Sequence, residues 1–464
     1  MVFSSVIFLF CFFPATFLGY YLVRDKLRNY WLLACSIIFY AWGEPRNVFL
    51  ILISTLVNFY LGRIIDSQRE YPIRKKLALI ATLLFNLGIL AYFKYSVFFA
   101  QILQSVTGLD LSHTFLVSKS AMPIGISFFT FQILSYEIDV YRGEVPVQKK
   151  LSNLALYIML FPQMIAGPIV RYSDIEREIE EREVTLTLTY EGLRRFMAGF
   201  AKKILISNTM AVVADYAYAN IGVSAALSWL GAICYSLQIY YDFSGYSDMA
   251  IGMGKMAGFH FQENFNHPYL ADSVRDFWHR WHISLSTWFR DYLYIPLGGN
   301  RRGTARTYIN QLIVFFVTGL WHGASFNFIV WGMFHGLFLC FEKLIGVKRL
   351  NKVPRPLMHV YALLVALVGW VFFRADTLRD AIAVLSTMAS PSLWNWRSVL
   401  SIINKEFLFF FAVALLCVGG VPNKLRTLVE KHSLAVNIIS VGVFVLAVLY
   451  TIGTDFNPFI YFRF

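Results

Sequence analysis

Long stretches without one Asp, Glu, Lys or Arg divide this chain: Val2 to Val23, Leu151 to Val170, Tyr216 to Tyr241, Thr307 to Phe341 and Ser433 to Thr454. Each approaches or exceeds the roughly 20 apolar residues that cross a bilayer core as a helix, so the pattern predicts several membrane spans. Shorter apolar runs lie between them, at 30–43, 48–62, 77–93, 95–109, 120–136, 204–214, 357–373 and 407–422. The shortest cannot reach across a bilayer and are predicted as half-helices or re-entrant pieces. Together the runs predict an all-α polytopic membrane protein of about eleven transmembrane or re-entrant helices.

The run from Thr307 to Phe341 is 35 residues long. As one straight helix it would measure roughly 52 Å, well beyond a hydrocarbon core of about 30 Å. A break is therefore expected inside it. Gly319, Gly323, Ser325 and Asn327 crowd around His322, which places the predicted break beside that histidine. Irregular backbone at membrane depth persists only where it is buried in protein or lines a wet cavity. An ionisable group there is a functional candidate, and an ordinary imidazole is able to take a proton from a positioned hydroxyl. His335 and His359 fit a blander expectation, a neutral histidine bonded across helices.

Composition agrees with the pattern. Only 15% of residues are charged, against the roughly 25% usual in soluble domains. The longest polar stretch, Arg171 to Arg195, is too short for a soluble core of its own, and its strongly charged interior, REIEEREVTL, is predicted as an exposed helical loop. The net charge of +13 gathers between apolar runs, at 63–76, 142–150, 194–203, 275–306 and 343–355. Cytoplasmic loops beside anionic lipid account for that placement, and a nucleic-acid partner has no support. The first apolar run ends in RDKLR with no basic residue before it, which predicts an outside N-terminus and a retained helix rather than a cleaved signal. Cys11, Cys35, Cys234, Cys340 and Cys417 lie far apart within apolar runs and are expected to be small buried hydrophobes. Neither fixed-period repeats nor inverted halves are visible, which weakens a transporter reading. Ala381 to Trp396, ending in SPSLWNW, reads as an interfacial or loop segment.

Residues 265–303 combine three histidines with many aromatics, directly before the long uncharged run. His279 and His282 are three apart, which on a helix gives them one face. Three readings are open. A metal pair lacks a third and fourth ligand at suitable spacing. An amphipathic helix anchored at the membrane surface by Trp278, Trp281 and Trp288 is the blander alternative. In the third, that helix makes one histidine line a reaction cavity. LGGNRRG reads as a turn followed by basic residues able to meet phosphate. Asp242 and Asp248 sit among small residues at membrane depth and are expected to hold Lys or Arg from a neighbouring segment. Glu137 and Asp139 are expected to mark a helix end at the interface, and Arg171 to be an end anchor.

FWHRWHISLSTWFRDYLYIPLGGNRRG, GLWHGASFNFIVWGMFHG, YYDFSGYSDMAIGMG, PIGISFFTFQILSYEIDVYRG and FPQMIAGPIVR together resemble the membrane-bound O-acyltransferases. The resemblance is strongest to the bacterial branch that contains the alginate O-acetylation membrane subunit and the peptidoglycan O-acetyltransferase. It runs from the N-terminus to about Arg374, and the closing FIYFRF is similar too. It implies a single domain over 1–464 with a catalytic core at about 120–345, a segment of interfacial or loop character at 380–400, and a central tunnel. The catalytic histidine of the family's WHG motif falls on His322, and the histidine of RWHISLSTW falls on His282 as the second site candidate. His279 stands where the branch tends to carry arginine and is assigned no catalytic work.

The resemblance further implies transfer of an acetyl group from a cytoplasmic thioester, acetyl-CoA or an acyl carrier, to a hydroxyl of a surface or secreted polysaccharide, with no tightly bound cofactor. Arg290, Arg301 and Arg302 are the candidates for the donor's phosphates. An inner-membrane location and an extracytoplasmic SGNH-hydrolase-like partner are expected. D-alanyl transfer to teichoic acid from a carrier protein, and a non-enzymatic transporter or channel, are the alternatives.

Overall fold

The computed structural model describes residues 1–110, 114, 116–118, 122–420 and 433–453. Among these residues the architecture is helical, and the only β-type pairing is an isolated bridge between Phe265 and Trp281. Six helices are long and apolar enough to cross a membrane: Asn47–Ser67, Pro72–Thr107, Leu186–Ala219, Phe326–Ile345, Arg355–Arg374 and Leu434–Gly453. The chain is thus an all-α, multi-pass membrane protein, although these six do not confirm the figure of eleven. Other apolar runs are broken; that from Leu151 yields the short helices Leu151–Met159 and Phe161–Met164, separated where Leu160 leaves helical geometry before Pro162. The closing FIYFRF lies outside the described residues.

The described chain divides into two compact units, 1–196 with 249–262, and 197–248 with 263–464. In the first, phenylalanine fills the interior: the Phe39 ring lies 6.0 Å from Phe8 and 5.5 Å from Phe161. Some polar groups buried there pair across helices. Asn58 and Asn86 exchange amide hydrogen bonds of 3.0 and 2.7 Å between Asn47–Ser67 and Pro72–Leu90. Arg182 donates to Tyr20 Oη, Asn29 Oδ1 and the Ala257 carbonyl, tying distant stretches of chain together. Arg171 does act at a helix end: its guanidinium and backbone N–H both donate to Asp174 at the start of Tyr172–Glu180.

Two expectations need correction. Glu137 and Asp139 are wholly buried within the helix Ile126–Arg142 rather than placed at an interface, because that helix is enclosed along nearly its whole length. Of residues 177–186, REIEEREVTL, only Ile179 is buried, on the inward face of the helix Tyr172–Glu180, so this charged stretch is largely exposed as expected. Of the cysteines, Cys35 and Cys234 are buried, but Cys11 and Cys417 are exposed on outward helix faces.

The second unit is organised by close helix approach and by buried charge pairs. Thr304–His322 and Phe326–Ile345 pack as a hairpin, joined by Gly323, Ala324 and Ser325. The backbones are so near that a methyl on Gly332 would fall 2.2 Å from the Phe315 carbonyl oxygen, and one on Gly319 2.4 Å from that of Phe328. Small residues permit this contact, which dispersion and helix-helix packing then reward. Lys203, on the π-helical turn Lys202–Ser207, meets Asp242 at 2.6 Å with both side chains buried, and Lys202 meets Asp248 at 2.6 Å. The acidic residues thus hold lysines from a neighbouring segment, as charge at membrane depth requires. Gly245 completes the fit: a methyl there would lie 2.7 Å from the Gly199 carbonyl oxygen. Outside these helices, Leu378–Met388 is a packed helix with Ala381 and Val384 buried, whereas Trp394 and Trp396 are exposed.

Two substitutions test this packing. Gly332→Ala overfills the hairpin contact and is expected to destabilise the detergent-solubilised protein by about 1–3 kcal/mol, measured as a lower thermal midpoint. Asp242→Ala strands the Lys203 ammonium and is expected to cost about 3–5 kcal/mol, while adding Lys203→Met recovers most of the loss. Equal midpoints for the single and double variants would refute the pairing.

Candidate active site

The break in the long apolar run falls at Gly323–Ser325, immediately after His322 ends its helix. Gly323 has φ −169°, extended backbone open to any residue, so conformation is not what selects glycine there. Space does: a methyl would sit 2.3 Å from the Phe328 ring. Asn327 fixes the far side of the break by donating to the Ala375 carbonyl at 2.7 Å, which joins the start of Phe326–Ile345 to the end of Arg355–Arg374. Ser325 also meets the Asn327 side chain.

His322 is enclosed by aromatic rings. Trp321, Trp331 and Phe373 have centroids 4.9, 5.0 and 5.1 Å from its ring, all at steep interplanar angles. Only 6% of the residue remains exposed. Such walls exclude water and lower the local dielectric, a setting in which a thioester resists hydrolysis.

His282 reaches the same aromatic wall from another segment. Its ring is 6.1 Å from Trp321 and 4.6 Å from Phe243, perpendicular to the latter. The helix Val274–Arg280 has already ended, Trp281 is extended, and His282 takes φ +46°, the left-handed region rarely used by residues other than glycine. His279 and His282 therefore do not share a helical face, and His279 is exposed. Main-chain pairing holds the turn: Ile283 N–H donates to the Asn264 carbonyl and Asn266 N–H to that of Arg280. Beside it, His282 Nδ1 lies 3.0 Å from Asn264 Oδ1, which also accepts from Ser284 Oγ at 2.9 Å, while Asn264 Nδ2 donates to Ser247 Oγ at 3.1 Å. His282 lies outside the six long apolar helices, and burial pushes its imidazole down to about 3, so the ring is neutral at ordinary pH.

Glu342 anchors the segment that leads into this turn. Its carboxylate accepts from the N–H groups of Val274 and Arg275 at 2.6 and 3.0 Å, while Ser273 Oγ accepts from Asp276 N–H at 3.0 Å. The N-terminus of Val274–Arg280 is thereby satisfied by the last turns of the hairpin's second helix.

Other expected residues separate. Trp278, Trp281 and Trp288 are buried rather than anchored at a membrane surface. Once the chain turns back at Trp281, their rings pack inward: Trp281 lies 4.7 Å from Trp370, and Trp278 5.7 Å from Trp331. His335 is wholly buried, yet among the described residues neither ring nitrogen has a hydrogen-bond partner, so the expected bond across helices is not made there. It stands instead among Phe277, Trp278 and Trp331, against Gly369, whose missing side chain makes room for it. His359 does make the expected bond, from Nδ1 to the Ala271 carbonyl at 3.0 Å. Arg290, Arg301 and Arg302 are exposed around the glycine turn. Arg290 is already engaged by Asp291, with Nε at 2.7 Å and Nη2 at 3.1 Å. Arg302 folds over Gly298. Among the described residues no three of His, Cys, Asp and Glu converge as a metal site.

Asn264, Ser247, Trp321 and Glu342 were not anticipated as parts of the site. Asn264 and Ser247 carry no periodic signal, since tertiary pairing alone brings them beside His282. Glu342 had one available clue: it is the first charge after the long apolar run.

Comparison with known proteins places this geometry in context. The model of the membrane-bound O-acyltransferase family matches residues 37–379, which include both histidines. The chain is 44% identical over 396 residues to the probable alginate O-acetylase AlgI of Pseudomonas aeruginosa, covering 85% of this chain and 76% of that protein. It is 34% identical to the peptidoglycan O-acetyltransferase of Helicobacter pylori, over 84% of this chain and 80% of that one. Similarity to the teichoic acid D-alanyltransferase of Bacillus subtilis is 29% and covers 47% of this chain and 58% of that protein. With the family model matched over most of its length and its motifs meeting at one aromatic wall, this chain belongs to the membrane-bound O-acyltransferase family and is an O-acyltransferase.

Proposed function

We propose that the protein moves an acetyl group from a cytoplasmic thioester donor, acetyl-CoA or an acyl carrier, across the inner membrane to a hydroxyl for O-acetylation of an alginate-like exopolysaccharide or peptidoglycan. The observation that carries this reading is the meeting of His282 and His322 on the Trp321 ring, in a dry enclosure at a helix break. Extensive similarity to an alginate O-acetylase and a peptidoglycan O-acetyltransferase supports acetyl as the group moved.

In this mechanism His322 is the general base. It takes the acceptor's hydroxyl proton as the oxygen attacks the thioester carbonyl carbon. The tetrahedral intermediate then collapses, the C–S bond breaks, and the departing thiolate recovers the proton from the His322 imidazolium. His282 orients or polarises the reacting groups. Arg301 and Arg302 meet the donor's phosphates, while Arg290 is partly neutralised by Asp291. An extracytoplasmic SGNH-hydrolase-like partner completes delivery to the polysaccharide. D-alanyl transfer to teichoic acid is the second reading, favoured by the shorter match to D-alanyltransferases.

His322→Ala is expected to leave an inserted, folded protein whose acetyl transfer falls at least about 100-fold, read as label moved from an acetyl thioester. Transfer at the unsubstituted rate would overturn the assignment, and label moving from D-alanyl carrier but not acetyl donor would favour the second reading. Combined Arg301→Ala and Arg302→Ala is expected to raise KM for acetyl-CoA about tenfold with kcat nearly unchanged. An unchanged KM would remove the arginines from the donor site.

A further inference from the structure

The hydrogen bonds around Asn264 fix which nitrogen of His282 carries its proton. A backbone N–H only donates, and that of Ser284 lies 3.3 Å from the Asn264 side-chain atom that faces it. That atom must be the amide oxygen. The same orientation directs Nδ2 toward Ser247 Oγ at 3.1 Å, a bond an amide nitrogen makes readily as donor. An amide oxygen has no hydrogen to give, so His282 Nδ1, 3.0 Å away, is the donor. In a neutral imidazole the second nitrogen then carries a lone pair. His282 Nε2 is buried and receives no hydrogen bond from any of the described residues.

We infer that Asn264 is a positioning residue of the acyl-transfer site, holding His282 as the Nδ1–H tautomer so that Nε2 faces the reacting groups as a hydrogen-bond acceptor. The left-handed turn at His282 and the bond from Ile283 N–H to the Asn264 carbonyl keep ring and amide in register. Ser247 supports the arrangement from its far end by accepting from Asn264 Nδ2.

The Nδ1–H tautomer divides the work of the two histidines. Polarising a thioester carbonyl requires an N–H directed at its oxygen, which neutral His282 lacks at Nε2. Orienting an acceptor molecule by receiving one of its hydroxyl hydrogens requires only the lone pair. His282 is therefore the orienting group, and the proton transferred in the reaction is left to His322.

The tautomer is read on the full-length protein in lipid nanodiscs by ring nitrogen NMR with labelled histidine, using His282→Gln to assign the signals. The unsubstituted protein is expected to show His282 protonated at Nδ1 and bare at Nε2. Asn264→Leu is expected to lose that single tautomer and to lower acetyl transfer about tenfold to 100-fold. In Asn264→Asp a carboxylate accepts the same bond. It is expected to keep the Nδ1–H form, to retain more transfer than Asn264→Leu, and to raise the pH at which His282 gains its second proton by about one unit or more.

His282 protonated at Nε2 in the unsubstituted protein would overturn the inference, as would an unmoved titration in Asn264→Asp. If Asn264→Leu fails to fold, those two measurements decide alone. The rate comparison rests on the acetyl-transfer reading, whereas the tautomer and titration do not. In a chain that moved no acetyl group, those two would still confirm or refute the hold of Asn264 on the His282 ring.

Discussion

The near contact of two helix backbones at Gly319 and Gly332 is the constraint on which the unit holding the candidate site depends. It brings Thr304–His322 and Phe326–Ile345 together so closely that the chain between them must reverse within three residues. That reversal sets His322 at the end of a helix, with Trp331 from the partner helix against its ring. The Phe328 ring then occupies the space a side chain at 323 would need. Glycine is required at 319 and 332 for backbone proximity and at 323 to admit a ring, two different reasons within one short stretch.

Within each compact unit, several buried polar groups are matched by the fold. Lys203 with Asp242, and Asn58 with Asn86, are mutual pairs that hold helices together. Glu342 is matched to two backbone donors. His282 is matched on one side alone, with Nδ1 bonded and Nε2 left over. His335, with neither nitrogen matched among the described residues, is surrounded by aromatic rings, Trp331 among them. A half-satisfied imidazole thus approaches His322 across Trp321 and an unsatisfied one across Trp331, and only the first has a neighbour that fixes its proton.

The sequence made the helix break legible because length is a hard limit: 35 uncharged residues exceed any single span, and the small polar residues beside His322 mark the weakest point. The lysine partners of Asp242 and Asp248 were legible for a similar reason, since unpaired carboxylates at membrane depth are too costly to keep. His282 was legible through its motif but not through its spacing. The three-residue interval to His279 assumed a helix that ends at Arg280, and a left-handed histidine has no sequence signature. Tryptophan misled because the same side chain serves membrane interfaces and tight cores, and only the turn at Trp281 decides between them. Asn264 was invisible, as its role exists only once residues 264 and 283 are paired.

The Glu342 clamp has a mechanical consequence. His322 and His282 are separated along the chain by a loop, a glycine turn and a long helix, which would ordinarily leave their spacing adjustable. The carboxylate grips the start of the segment that carries His282 from the end of the helix that packs against His322. That grip ties the start of the segment that carries His282 to the helix whose Trp331 packs against the His322 ring, so the placement of both imidazoles is referred to one element, Phe326–Ile345.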